Sequence, residues 1–67
     1  MIKITVNGDE VEVKEGISVT YLLTFLGFTP ELVAIEREKE VLPRSTWNDE
    51  IVKDGENFEV VHFVGGG

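Results

Sequence analysis

Apolar and polar residues alternate over residues 2–13, and this pattern predicts two paired β-strands. Asn7-Gly8 separates the strands, and Asn-Gly is a strong signal for a two-residue hairpin loop because both residues tolerate a positive φ. With these two residues as the loop, position 4 faces position 11 and position 2 faces position 13. Lys3 then faces Glu12, so apolar residues share one face of the hairpin and opposite charges meet on the other.

After residue 16 the apolar period becomes that of a helix. One apolar stripe follows i, i+3, i+4 and i+7 spacing, at Val19, Leu22, Leu23 and Leu26. Ser18 is suited to cap the first turn by accepting an amide hydrogen bond, and Ile17 and Leu22 occupy hydrophobic staple positions. Gly27 is suited to end the helix in a left-handed conformation.

Three β segments are expected after the helix. They are a short strand at 32–36, a strand stub at 41–42 and a final strand at 58–64 that is rich in β-branched and aromatic residues. Residues 44–57 are expected to be irregular, with apolar anchors at Trp47, Ile51 and Val52.

The order of these elements predicts an α+β fold. A single helix after a hairpin must cover one face of the sheet, and the last strand has its least strained place beside the first, in the middle of a mixed sheet. This is the β-grasp, or ubiquitin-like, arrangement of four to five strands with one main helix on one face. We expect residues 1–64 to form this domain and residues 65–67 to be a flexible C-terminal glycine tail.

Composition narrows the possible functions. A chain of 67 residues has little room for an enclosed active site, and without cysteine it has no thiol nucleophile or zinc thiolate site. The formal charge of −7 repels nucleic acids and anionic membranes. No apolar run approaches the ~20 residues that span a bilayer. We therefore expect a soluble cytoplasmic protein with no nucleic-acid or membrane partner.

The most informative segment is Gly65-Gly66-Gly67. Glycine buries no side chain and is costly to order, so this segment does not serve folding. Without a Cβ, the carboxylate of Gly67 is open to attack, but as an anion it is a poor electrophile. It could be activated as a mixed anhydride with AMP, and a persulfide sulfur could then displace AMP to leave a thiocarboxylate. Partner enzymes would have to supply ATP and magnesium, so we expect no catalytic residue, cofactor or metal in this chain.

Apolar residues beside the glycine segment predict a partner surface. If Phe58 and Val60 point towards the helix, Val61 and Phe63 point away from it, and Ala34 joins them from the neighbouring strand by the same alternation. Exposed apolar patches often mark partner surfaces, although scattered exposed apolar residues are also normal. The position of this patch next to the glycines favours the first interpretation.

Other polar residues are interpreted as structural. His62 has no second His or Cys to assist it as a base or metal ligand, and it is expected at the edge of the core. Residues 36–40 are expected to form a solvated turn with cross-strand charge pairs, and Trp47 to close the open end of the core. Arg44 and Lys39 could contact acidic groups of a partner, but no feature of the sequence singles them out.

The whole chain resembles the thiamine-biosynthesis sulfur carriers, the ThiS family. The resemblance rests on chain length, on the Asn7-Gly8 hairpin, on the Leu-Pro-Arg-x-x-Trp stretch at 42–47 and on the Val-His-Phe-Val-Gly-Gly-Gly ending at 61–67. Arg37-Glu38-Lys39 departs from the Asn-Gly turn of many relatives.

The resemblance implies a function that the residues alone do not specify. Gly67 would be adenylated by an E1-like adenylyltransferase (ThiF-like) and would receive sulfur from a donor such as a cysteine desulfurase. The resulting thiocarboxylate would supply sulfur to a thiazole synthase (ThiG-like) that builds the thiazole of thiamine.

Three alternatives stay open at this point. The small subunit of molybdopterin synthase shares the fold and chemistry but delivers sulfur to a pterin precursor. The others are a ubiquitin-like tag that is joined to lysines and a non-covalent β-grasp interaction module. Removal of Gly67 would leave only the interaction module active, and mass spectrometry would distinguish a thiocarboxylate from a conjugate.

Overall fold

Five strands and one helix form the body of the protein in the computed structural model. The structure describes residues 1–63, and residues 64–67 lie outside it. In chain order the elements are β1 (Ile2–Val6), β2 (Asp9–Val13), α1 (Val19–Phe25), β3 (Val33–Arg37), β4 (Glu40–Val41) and β5 (Asn57–His62). The strand order in the sheet is β2-β1-β5-β3-β4, with β5 parallel to β1 and antiparallel to β3. The β-grasp prediction is therefore confirmed.

The first hairpin has the predicted register. Ile4 is opposite Val11 and Lys3 is opposite Glu12. Asn7 and Gly8 both have positive φ, 53° and 84°, as a two-residue turn between these strands requires. The turn and the apolar alternation favour the same pairing, which excludes a one-residue slip.

The helix is capped and buried as its sequence predicts. The hydroxyl of Ser18 accepts a hydrogen bond from the Tyr21 amide at 3.1 Å, and the chain leaves the helix through Gly27 at a φ of 88°. Its apolar stripe packs on the sheet, with Val19, Leu22 and Leu23 fully buried. No helix among residues 1–63 is long and apolar enough to cross a membrane.

The long segment before β5 closes the end of the core. Trp47 is buried, and its indole Nε1 donates to the carbonyl of Leu42 at 3.0 Å. Val52 is also buried, as predicted, but Ile51 is 39% exposed and the prediction that it anchors the core is wrong. Adjacent residues of an extended segment point in opposite directions, so the burial of Val52 turns Ile51 outward.

The strand boundaries after the helix differ from the predicted ones. Residues 30–32 form a short 3-10 turn, so β3 begins one residue late. The chain reverses at Glu38 and Lys39, which pairs Arg37 with Glu40 and shifts β4 one residue towards the N-terminus. Both turn residues have positive φ, 51° and 70°, a conformation that neither side chain favours. The predicted turn within residues 36–40 is present, but residue types that favour positive φ do not mark its exact position.

Candidate functional site

The central strand of the sheet is separated from the glycine segment by two residues of the sequence. β5 pairs with β1 on one side and β3 on the other, and its Phe58 and Val60 side chains are buried beneath α1. The predicted modification site at Gly67, with Gly65 and Gly66, lies outside the described residues. What the structure provides is the strand from which that segment continues.

The residues predicted as a partner surface lie on the open face of the sheet, which α1 does not cover. Val61 and Phe63 are 56% and 57% exposed, and Ala34 is half-buried directly opposite Val61 on β3. We call Ala34, Val61 and Phe63 the open-face patch. Their exposure follows the alternation expected of β5, and their role in partner binding stays a prediction.

Sequence reasoning missed a residue next to this patch. Leu32 is 52% exposed, and its carbonyl accepts a hydrogen bond from the Phe63 amide at 2.9 Å. The signal was present, since positions 32 and 34 have the same parity. Leu32 is therefore a further exposed apolar residue beside Phe63.

Two carboxylates adjoin the open-face patch. Glu36 and Glu59 occupy directly opposite positions on β3 and β5. Like charges in such positions destabilise a sheet, and neither carboxylate forms a salt bridge with any residue that the structure describes. A cationic group on a partner would neutralise this pair.

The start of β5 is held by side chains. The Thr5 hydroxyl donates to Asn57 Oδ1 at 2.6 Å, and the carboxylate of Glu38 accepts from the Asn57 backbone amide at 2.7 Å and from its Nδ2 at 3.2 Å. A left-handed conformation costs an ordinary residue about 1–2 kcal/mol. The two hydrogen bonds offset part of that cost at Glu38. They explain how this turn forms without the Asn-Gly pair that many relatives have at the same position.

The predicted cross-strand charge pairs within residues 36–40 are wrong for Arg37. Its guanidinium lies 2.6 Å from a Glu50 carboxylate oxygen and 3.7 Å from one of Glu56. Arg37 follows the inward parity of β3, so its side chain extends past the end of the core. There it meets the long segment before β5, and the ion pairs tie that segment to the sheet.

Arg44 has a structural role that the sequence did not reveal. Its guanidinium donates to the carbonyl oxygens of Pro30 and Val33, at 2.5 and 2.9 Å, and lies 4.5 Å from the centre of the Trp47 ring. These contacts join the 3-10 turn before β3 to the segment that closes the core. The arginine of the Leu-Pro-Arg-x-x-Trp stretch thus has a role in stabilising the fold.

His62 shares the face of Val60 but is exposed, which differs from the half-buried position predicted for it at the edge of the core. Its ring lies 5.3 Å from that of Phe28, at an angle of 49°, so it covers the margin of the core from outside. Within residues 1–63, no group of three or more His, Cys, Asp or Glu side chains is arranged to hold a metal ion.

A second apolar surface lies on α1, across the sheet from the open-face patch. Tyr21 and Phe25 stack with ring centres 6.4 Å apart, and Phe25 is 57% exposed. They border an apolar hollow of about 100 Å³ between the helix and the edge of the sheet. This surface provides a comparison for the patch beside the glycines.

Comparisons with known proteins agree with this architecture. The family model described as "ThiS family" matches residues 2–67. The crystal structure of the thiamine biosynthesis protein ThiS from Geobacter metallireducens superposes with a TM-score of 0.84 at 39% identity, covering 98% of this chain and 100% of that one.

Two kinds of relative are found by sequence. A thiazole synthase from Magnetococcus marinus is 42% identical over 66 residues, 98% of this chain, but the chain spans only 20% of that protein's length. The sulfur carrier protein ThiS of Bacillus subtilis is 32% identical over 62 residues, covering 91% of this chain and 94% of that protein. With its β-grasp sheet and its glycine ending, this chain belongs to the ThiS family.

Proposed function

We propose that this ThiS-family sulfur carrier holds sulfur as a thiocarboxylate at Gly67 and donates it for thiazole formation in thiamine biosynthesis. The observation that carries the proposal is the course of β5. This strand is buried on its helix side and paired on both edges, it carries exposed Val61 next to exposed Phe63, and three glycines follow it closely in the sequence. The relatives named as a sulfur carrier and a thiazole synthase support the pathway.

The proposed chemistry begins with activation of the carboxylate. A carboxylate oxygen of Gly67 attacks the α-phosphorus of ATP and displaces pyrophosphate, which leaves an acyl-adenylate. The terminal sulfur of a partner's cysteine persulfide then attacks the acyl carbon and expels AMP. A second thiolate cleaves the sulfur–sulfur bond of the product, so that the thiocarboxylate is released and a disulfide remains on the partner.

Partner proteins supply every component of these reactions except the carboxylate. An E1-like adenylyltransferase binds ATP and magnesium, a cysteine desulfurase or related donor supplies the persulfide, and a thiazole synthase consumes the sulfur. The carrier contributes no catalytic side chain and binds no cofactor. We also propose a cytoplasmic location, where these partners and ATP meet, and cell fractionation would test it.

The open-face patch is the proposed docking surface for these partners. An apolar group that covers Val61 and Phe63 would lie beside the strand that leads to Gly67, which directs the glycine segment into the partner's site. The directly opposed Glu36 and Glu59 carboxylates favour a partner that presents arginine or lysine next to its apolar contact.

Intact-mass measurement tests the proposal. The protein is incubated with the adenylyltransferase, ATP, magnesium and a persulfide donor, and its mass should rise by the difference between sulfur and oxygen. A version that ends in a Gly67 amide should fold identically and gain no sulfur. The proposal fails if the amide is loaded equally well, or if the protein isolated from cells extends beyond Gly67.

The acceptor is tested separately. The loaded carrier is offered to a thiazole synthase and, in a parallel reaction, to the large subunit of molybdopterin synthase. We expect only the first to return the carrier to its original mass. Consumption by the second alone would replace thiazole formation by pterin sulfuration as the function.

A further inference from the structure

Asn7 has a second role besides forming the first turn. Its side-chain Oδ1 accepts a hydrogen bond from the Val60 amide at 2.7 Å, and its Nδ2 donates to the Val60 carbonyl at 3.3 Å. The carboxamide therefore binds both backbone groups of one residue on β5, 53 positions along the chain.

The side chain of Asn7 extends the hydrogen bonding between β1 and β5 beyond the point at which their backbone pairing ends. Among the described residues, the parallel pairing of β1 with β5 has two partner pairs, Thr5 with Asn57 and Val6 with Phe58. The backbone N–H of Asn7 adds a hydrogen bond to the Phe58 carbonyl at 2.9 Å. The chain then turns away into β2. A carboxamide carries N–H donors and a carbonyl acceptor, the same kinds of group as a peptide, so the side chain supplies the next step of the sheet.

The two edges of β5 are therefore held unequally near its end. On the β3 side the pairing continues to Val33 opposite His62. On the β1 side, among the residues that the structure describes, the Asn7 side chain is the contact that reaches Val60. Both bonds are partly buried, so water competes with them less than at an exposed site.

We propose that Asn7 is a positioning residue for activation of the carrier. By fixing the β1 edge of β5 at Val60, across the strand from its pairing with β3, it sets the direction in which the strand leaves the sheet. The proposal rests on the proposed function, since a defined starting direction matters if a partner must bring the distant carboxylate to a reactive geometry. We call the two hydrogen bonds between the Asn7 side chain and the Val60 backbone the clamp. Loss of the clamp should lower the rate of adenylation within the complex more than it weakens docking.

Two variants distinguish the effect of losing the hydrogen bonds to Val60 from the effect of disturbing the first turn. Asn7→Gly removes the carboxamide while keeping a residue that accepts the positive φ of this position. Asn7→Asp keeps an acceptor for the Val60 amide but places a carboxylate oxygen where the Nδ2 donor was. The matched control is Lys39→Gly, the same kind of change at a positive-φ residue of the other hairpin, which should stabilise the fold without touching Val60.

The first measurement is hydrogen exchange of the Val60 amide under conditions in which all variants are folded. We expect exchange to accelerate about tenfold or more in Asn7→Gly, less in Asn7→Asp and not in Lys39→Gly. Equal exchange in all four proteins would overturn the clamp itself, whatever the function of the chain.

The second measurement is single-turnover formation of the acyl-adenylate with saturating adenylyltransferase, together with KM. We expect a rate about tenfold lower for Asn7→Gly, an intermediate rate for Asn7→Asp and a KM within about twofold of wild type. Accelerated exchange with an unchanged adenylation rate would overturn the positioning role, and so would a change confined to KM. If the wild-type protein is not adenylated at all, the proposed function fails and the positioning role fails with it.

Discussion

Replacement of Phe63 by Asp tests the open-face patch most directly. Phe63 is 57% exposed in the free protein, and a phenylalanine offers roughly 200 Å² of surface. A partner that covers it completely would therefore remove about 110 Å² from water. At ~25 cal/mol per Å² this is worth about 3 kcal/mol, or roughly a hundredfold in affinity.

The assay is kcat/KM for adenylation by the E1-like partner. We expect Phe63→Asp to lower it by up to about a hundredfold, while Phe63→Ala, which introduces no charge, should account for most of the loss. Because Phe63 lies on the solvent side of the sheet, circular dichroism and thermal unfolding should show the fold intact.

Phe25→Asp is the matched control. Phe25 is the same residue type with the same exposed fraction, 57%, but it lies on α1. We expect its kcat/KM to stay within about threefold of wild type. Equal losses in the two Asp variants would show that the effect is not specific to the patch, and unchanged adenylation of folded Phe63→Asp would refute the reasoning.

Two further predictions concern Arg44 and Glu36. Arg44→Lys keeps the charge but loses the fork that reaches two carbonyl oxygens and the planar group over Trp47. It should lower the free energy of unfolding by about 1–2 kcal/mol and Tm by roughly 4–16 °C, and an unchanged melting curve would contradict the structural role of this arginine. Glu36→Gln relieves the repulsion from Glu59 and should raise the unfolding free energy by about 0.2–1 kcal/mol. The same variant should slow partner association at low salt, with the difference vanishing at high salt, and identical low-salt rates in stopped flow would argue against a cationic partner.

Some predictions from sequence were correct because their causes are local. The hairpin register follows from one Asn-Gly turn and the apolar parity on either side of it, and the helix follows from Ser18, a stripe at helical spacing and Gly27. The outward direction of Val61 and Phe63 could be predicted from the alternation of side chains along a strand alone.

Other predictions were wrong because the deciding contacts are distant. The apolar side chain of Ile51 predicts an anchor in the core, but the side that a residue of an irregular segment faces depends on what lies beneath it. The charged run at 36–40 predicts cross-strand charge pairs, whereas the acidic side chains that Arg37 reaches come from the segment before β5.

By itself, the sequence determined the element order, the fold class and the apolar last strand, because periodicity and turn chemistry act between neighbours. Only the tertiary structure decided that Asn7 holds Val60 and that Arg44 holds Val33. Those hydrogen bonds join residues 53 and 11 positions apart. No local pattern specifies such a partner, because the donor and acceptor meet only after the sheet and helix have packed.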